Sequence, residues 1–189
     1  RARSMLKRMA ADFRINWLES FCTFLGLIFQ RLFRGIVLSQ SSLAEIREAA
    51  REAPIIIMPA HRSHMDYLII SLLFYTNGLI PPHIAAGDNL TFWPMGPIFR
   101  HSGAFFLRRS TRGNRLYSAV LRQYVRKLLK EGYWIEFFIE GTRSRSGKSL
   151  PPKYGMLSMV IDAVASGAAP DAMLVPAAIT YEKVVEAKS

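Results

Sequence analysis

The stretch Pro54-Ile-Ile-Ile-Met-Pro-Ala-His-Arg-Ser-His-Met-Asp66 decides how the chain reads. Its first six residues have the length and branching of a strand buried on both faces, as parallel sheets require. His61 and Asp66 follow at once, so the strand delivers a base and a carboxylate to its carboxyl end. Five positions separate them, which on one continuous helix turns the two side chains apart, because neighbours on a face lie three or four residues away. If they meet, the chain bends between them. Asp66 then holds one ring nitrogen of His61 while the other takes a proton from an alcohol. Taken singly, a loop histidine bonded to backbone and an aspartate capping a helix explain the same residues. A metal site of His61, His64 and Asp66 needs further ligands, and His83 and His101 stand at no ligand spacing. Ser63 lacks the glycines of a nucleophile elbow.

Outward from this stretch the chain alternates. Toward the C-terminus the pattern predicts a helix over 64–75, strands at 83–86 and 104–107, and a helix over 114–130 ended by Gly132. A strand at 134–139, a polar loop over 140–154, a helix over 156–165 and a strand at 173–180 complete it. Upstream, Ser42 and Glu45 read as a capping box opening a short helix to Arg51. Over 10–38, polar residues recur every three or four positions in a largely apolar run, predicting one long helix. Such a helix is either buried against the rest of a larger protein or laid in a membrane interface; its narrow, weakly basic polar stripe favours burial. The expected class is α/β, a largely parallel central sheet flanked by helices and preceded by a helical N-terminal segment. Residues 1–50 form the lead-in and 51–189 the catalytic domain. A chain that opens on Arg1 and stops after a strand-like run reads as a piece of a longer polypeptide.

Lys and Arg outnumber Asp and Glu by 25 to 14, a formal charge of +11, so the surface seeks anions. Nucleic acid, anionic headgroups and phosphorylated or CoA-like small molecules all meet that demand. Cys22 is the sole cysteine, which argues against a disulfide framework, a cysteine metal cluster and a cysteine acyl-enzyme. It lies in the apolar run 21–29, far shorter than the roughly 20 residues that span a bilayer.

Two further blocks run from a strand into polar residues, and such strand ends border the crevice where α/β sheets bind ligands. Gly103-Ala-Phe-Phe-Leu-Arg-Arg109 delivers Arg108 and Arg109, whose planar forks suit a phosphate, although a solvated basic face explains them too. Phe138-Ile-Glu-Gly-Thr-Arg-Ser-Arg145 carries Gly141, where backbone can approach a ligand, among several cations. Glu140 in that company either orients an arginine, bonds a substrate hydroxyl or makes a surface ion pair. Pro176 interrupts the last strand, which places it at a bulge or on an edge.

Together, in this order, the blocks from His61 to Glu182 resemble the glycerolipid acyltransferase superfamily, whose hallmark is a histidine and an aspartate separated by four residues. The stretches His61 to Leu68, Pro82 to Gly87, Phe92 to Pro97, Gly103 to Arg109 and Glu140 to Arg145 are most similar to bacterial membrane-bound glycerol-3-phosphate acyltransferases and their dihydroxyacetone-phosphate relatives. The resemblance implies that His61 deprotonates the acceptor hydroxyl, that Asp66 orients His61, and that the oxygen attacks an acyl thioester without an acyl-enzyme. It implies substrate binding by Gly103, Arg108, Arg109, Glu140, Gly141, Arg143 and Pro176. The donor would be acyl-CoA or acyl carrier protein, the acceptor the sn-1 hydroxyl of glycerol 3-phosphate or dihydroxyacetone phosphate, with no cofactor or metal. The expected setting is an anionic membrane surface on the cytoplasmic face. A nucleic-acid module predicts basic and aromatic residues interleaved on an exposed face; here the arginines follow buried-looking strands, and no nucleic-acid partner is expected. A noncatalytic membrane scaffold accounts for the charge and gives His61 and Asp66 no joint role.

Overall fold

The structure, a computed structural model, describes residues 1–32, 35–63, 65–108, 113–144, 146 and 148–181. Five strands, β1 (Ile55–Pro59), β2 (His83–Gly87), β3 (Ala104–Leu107), β4 (Ile135–Glu136) and β5 (Met173–Ala177), form one sheet in the order β3-β2-β4-β1-β5. Every pairing is parallel, with Ile56 opposite both Ile135 and Leu174. Ile55, Ile56 and Ile57 are almost wholly excluded from water because helices cover both faces. Complete burial of one such side chain contributes about 1.5–3 kcal/mol.

On one face Ile56, Phe105, Ile135 and Phe137 pack with Tyr117, Leu121, Val125 and Leu129 of α6 (Arg115–Lys130) and Val160 of α7 (Gly155–Ala165). On the other face Ile55 and Ile57 meet Ile46 of α3 (Gln40–Glu52) and Ile70 and Phe74 of α4 (Asp66–Thr76). α4 shows no polar face because it is covered twice. Its Ile69 and Leu72 pack outward on Leu18, Cys22, Leu25 and Phe29 of α2 (Ile15–Leu32). α5 (Met95–His101) closes that side through Phe99 against Ala104 and Phe106.

The lead-in departs from the single helix predicted over 10–38. α1 (Ala2–Met9) and α2 are separate, and residues 10–14 leave helical geometry between them. The amides of Asp12 and Arg14 pair instead with the carbonyls of Arg100 and His101 at the end of α5, and the Arg100 guanidinium takes the carbonyls of Arg8 and Ala10. Met9 joins the core over the sheet, so the lead-in packs into the same body as the strands.

Three other differences have local causes. α3 is capped by Ser39, whose Oγ accepts from the Ser42 amide at 3.3 Å, so Ser42 sits inside the first turn and the expected capping box does not form. α5 was hidden by Pro94, Gly96 and Pro97; Pro97 stands in the first turn, where a missing N–H is tolerated. A Cβ on Gly96 would collide with the Thr91 backbone. β4 pairs over two residues instead of six, because beyond Phe137 the chain turns over the end of β1. β5 is an edge strand, which is how Pro176 is accommodated without a missing rung.

Candidate active site

Because all strands run the same way, their carboxyl ends share one edge of the sheet. β1 and β4 are adjacent, so the loops that leave them abut, although they are far apart in sequence.

The chain bends between His61 and Asp66, with α4 starting only at Asp66. Asp66 is fully buried, and among the described residues four donors meet its charge. Oδ2 accepts from the amides of Arg62 (2.8 Å) and Ser63 (2.9 Å) and faces His61 Nδ1 at 3.3 Å. Oδ1 accepts from the Tyr181 hydroxyl at 2.6 Å. Its position in the first turn of α4 adds the helix dipole. Burial pushes the Asp66 carboxyl up, but the bonds from His61, Tyr181, Ser63 and Arg62 outweigh it and hold the carboxyl below its usual range. A carboxylate only accepts, so Nδ1 carries the ring hydrogen, and Nε2 is the acceptor nitrogen on the far side of the ring.

The His61 ring stacks on Phe138, centroid to centroid 3.8 Å and 20° from parallel, so the loop after β4 fixes its plane. The same loop grips the His61 backbone from both sides. Glu140 Oε1 accepts the His61 N–H (3.3 Å), and the Ser144 N–H donates to the His61 carbonyl (2.9 Å). Glu140 Oε2 accepts from the Leu150 amide at 2.9 Å, and the residue is buried. The surface ion pair expected as one reading of Glu140 does not form among the described residues, because the residue is buried. Glu140 is a tie between the β1 and β4 loops. Gly141, at φ +64°, takes the left-handed turn that returns its amide to the Phe138 carbonyl (2.9 Å).

The remaining expected residues fall in different places. Arg143 is half-buried in the loop beside Ser144. Arg108 follows β3 at the same edge; its amide donates to the Tyr117 hydroxyl (3.0 Å) and its guanidinium lies 5.0 Å from that ring's centroid. Arg109 and His64 lie outside the described residues. Pro176 is exposed near the carboxyl end of β5, opposite Met58. Gly103 needs correction. It precedes β3 at φ +104°, and its carbonyl accepts from the Ile84 amide (3.2 Å) and faces His83 Nδ1 (3.2 Å). That is the amino edge of the sheet, opposite His61, so its place in the motif block reflects a turn into the strand.

Phe138, Tyr181 and Ser144 were not legible as site residues. Tyr181 had one topological signal, since it follows the last strand and so emerges at the same edge. Nothing local marked Phe138 or Ser144. Among the described residues, no three of His, Cys, Asp and Glu stand together as metal ligands, and no helix is long and apolar enough to cross a membrane.

The chain matches the Acyltransferase family over residues 41–180. It is 48% identical over 187 residues to a glycerol-3-phosphate acyltransferase of Aeromonas hydrophila subsp. hydrophila, covering 98% of this chain and 23% of that protein. It therefore spans under a quarter of the length of that curated relative, at 23%. Among solved structures, the 1-acyl-sn-glycerophosphate (LPA) acyltransferase PlsC of Thermotoga maritima is similar at 20% identity and a TM-score of 0.44, over 77% of this chain and 68% of that one.

Proposed function

The chain belongs to the Acyltransferase family, and from that premise we propose that it is the catalytic region of an enzyme moving a fatty acyl group from a thioester to the sn-1 hydroxyl of glycerol 3-phosphate. The observation that carries this reading is His61, held at Nδ1 by the buried Asp66 and stacked on Phe138. A histidine fixed in plane and tautomer is built to take a proton from an alcohol at Nε2. As the proton moves to Nε2, the hydroxyl oxygen bonds to the thioester carbonyl carbon and a tetrahedral oxyanion forms. The intermediate collapses with cleavage of the C–S bond, and the leaving thiolate takes the proton from the imidazolium. Asp66 stabilises that imidazolium, and no covalent acyl-enzyme intervenes.

The 48% identity to a protein named for glycerol 3-phosphate supports that acceptor. A phosphorylated acceptor fits the charge of +11, and Arg108, Arg109 and Arg143 are the side chains proposed to hold its phosphate, with Gly141 and Pro176 bordering the pocket. The donor is acyl-CoA or acyl carrier protein; the chemistry needs no metal or further cofactor. We place the enzyme on an anionic membrane surface. Trp17, Phe24 and Leu27 are exposed on α2, as are Phe92 and Trp93 before α5, and aromatic side chains of this kind favour the lipid interface.

The acceptor is tested by giving the full-length protein, in lipid micelles, radiolabelled acyl-CoA with glycerol 3-phosphate or dihydroxyacetone phosphate separately. Product with glycerol 3-phosphate is expected. Product with dihydroxyacetone phosphate alone would move the acceptor to the ketone, and product with neither would reject acyl transfer.

A further inference from the structure

Gly141 is a bare piece of backbone, and a lysine lies across it. A Cβ placed on Gly141 would stand 2.9 Å from Lys153 Cδ, 3.7 Å from its Cε and 3.5 Å from its Nζ. The missing side chain is therefore what lets the Lys153 stem rest on the loop after β4. Two bonds hold the two stretches together: the Lys153 amide donates to the Ile139 carbonyl at 2.7 Å, and Ser144 Oγ donates to the Lys148 carbonyl. Pro151 and Pro152 lead into Lys153, and their fixed φ limits how far that backbone can stray.

The loop under this ammonium is the one that holds the base. Its Phe138 stacks on the His61 ring, its Gly141 amide returns to the Phe138 carbonyl, and its Ser144 amide binds the His61 carbonyl. Glu140, the carboxylate of the loop, commits one oxygen to the His61 amide and the other to the Leu150 amide. Among the described residues Lys153 makes no ion pair, and Arg143 stands in the same loop, half-buried. An exposed lysine commonly lays its stem on the protein and keeps its charge in water. That habit does not explain a stem seated on the glycine of the loop that grips His61, with the loop's own carboxylate turned to other partners.

We propose that Lys153 binds the phosphate of the acceptor, as a point charge acting beside Arg143, and so selects a phosphorylated alcohol over a neutral one. The role rests on the acyl-transfer reading above and adds a residue to it. The phosphates of acyl-CoA offer the same chemistry, but the whole pantetheine arm separates them from the thioester. The acceptor's phosphate sits on the same short molecule as the hydroxyl that must reach His61, so a cation on the loop that holds His61 falls to the acceptor. The phosphate takes no part in bond making. Its grip is equal in the bound and transition states, and losing it raises KM with kcat little changed.

The test uses the full-length protein in lipid micelles, as wild type, Lys153→Met and Lys153→Arg, with glycerol 3-phosphate and acyl-CoA each varied in turn. Met keeps an unbranched stem over Gly141 and removes the charge. It should raise KM for glycerol 3-phosphate roughly 10- to 100-fold, the scale of one hydrogen bond to a charged group, and leave KM for acyl-CoA near wild type. Arg, which keeps the charge, should recover most of that loss. An unmoved KM for glycerol 3-phosphate in the Met variant would overturn the proposal. So would a rise in KM for acyl-CoA alone, which would hand Lys153 to the donor. A fall in kcat at constant KM, or an Arg variant as impaired as Met, would also overturn it by showing that the stem matters and the charge does not. Absence of transfer by wild type would reject the acyl-transfer reading, and this role with it, whereas an active wild type with an unmoved KM in the Met variant rejects this role alone.

Discussion

Tyr181 shows most clearly what a buried carboxylate needs. Its hydroxyl is the one described donor to Asp66 Oδ1, and hydrogen bonds to charged groups contribute about 1.5–3 kcal/mol. Tyr181→Phe should lower unfolding stability by that order at neutral pH. It should also make the protein more acid-labile, and the sign follows from linkage. Asp66 is held below its ordinary range, so its contribution is present above the unfolded carboxylate range and is lost as pH falls through the folded value. With a donor removed the folded value rises, and the loss begins at higher pH; urea unfolding measured across the acid range reads the shift. The His61–Asp66 pair was legible in sequence because the bend between them is local, spelled out in five residues after a strand. Phe138 and Tyr181 were not, because their roles arise only when strands distant in sequence share an edge. Gly103 misled for the converse reason: one motif block runs the whole length of a strand and so belongs to both edges.

At the scale of elements, the loop after β4 determines how firmly His61 is held. Glu140 binds two backbone amides, those of His61 and Leu150, with one oxygen each. Glu140→Gln turns one acceptor into a donor and leaves an amide unmatched, a penalty of about 1–3 kcal/mol. Because the tie positions the base through its backbone, kcat should fall with KM little changed. Steady-state kinetics on a variant whose unfolding curve is still cooperative would show this, and a raised KM at constant kcat would instead put Glu140 on the substrate. The core prediction is plainer. Ile56→Ala removes a fully buried side chain between two helical layers and should destabilise by about 2–5 kcal/mol in denaturant unfolding. The sheet was readable because its strands are short apolar runs separated by helix-period segments. α5 was not, since Pro94, Gly96 and Pro97 signal a loop. Nor was the break over 10–14, where hydrogen bonds come from Arg100 and His101, outside any local window.

For the molecule as a whole, charge and exposed aromatics act together. A formal charge of +11 and the exposed side chains Trp17, Phe24, Trp93 and Leu27 predict binding to vesicles containing anionic lipid that weakens as salt rises. Co-sedimentation of the full-length protein with anionic and with neutral vesicles measures it; equal binding to both would remove the electrostatic part of the account. The fold class was accessible from the alternation of elements alone, whereas the packing of the lead-in into the same core was not, because Met9 and Leu18 find their partners only in three dimensions. All of this architecture serves one claim, that the sheet edge presents His61 as a base that delivers an acceptor hydroxyl straight to a thioester. The most direct test is single-turnover acyl transfer by the full-length protein with acyl-CoA and glycerol 3-phosphate, wild type against His61→Ala, with the protein fraction analysed for bound acyl group. The account predicts a rate lower by about 10²–10⁴-fold in the variant and no acyl group on wild-type protein. Undiminished transfer by His61→Ala, or an acyl-protein that forms and decays at the rate of turnover, would contradict it.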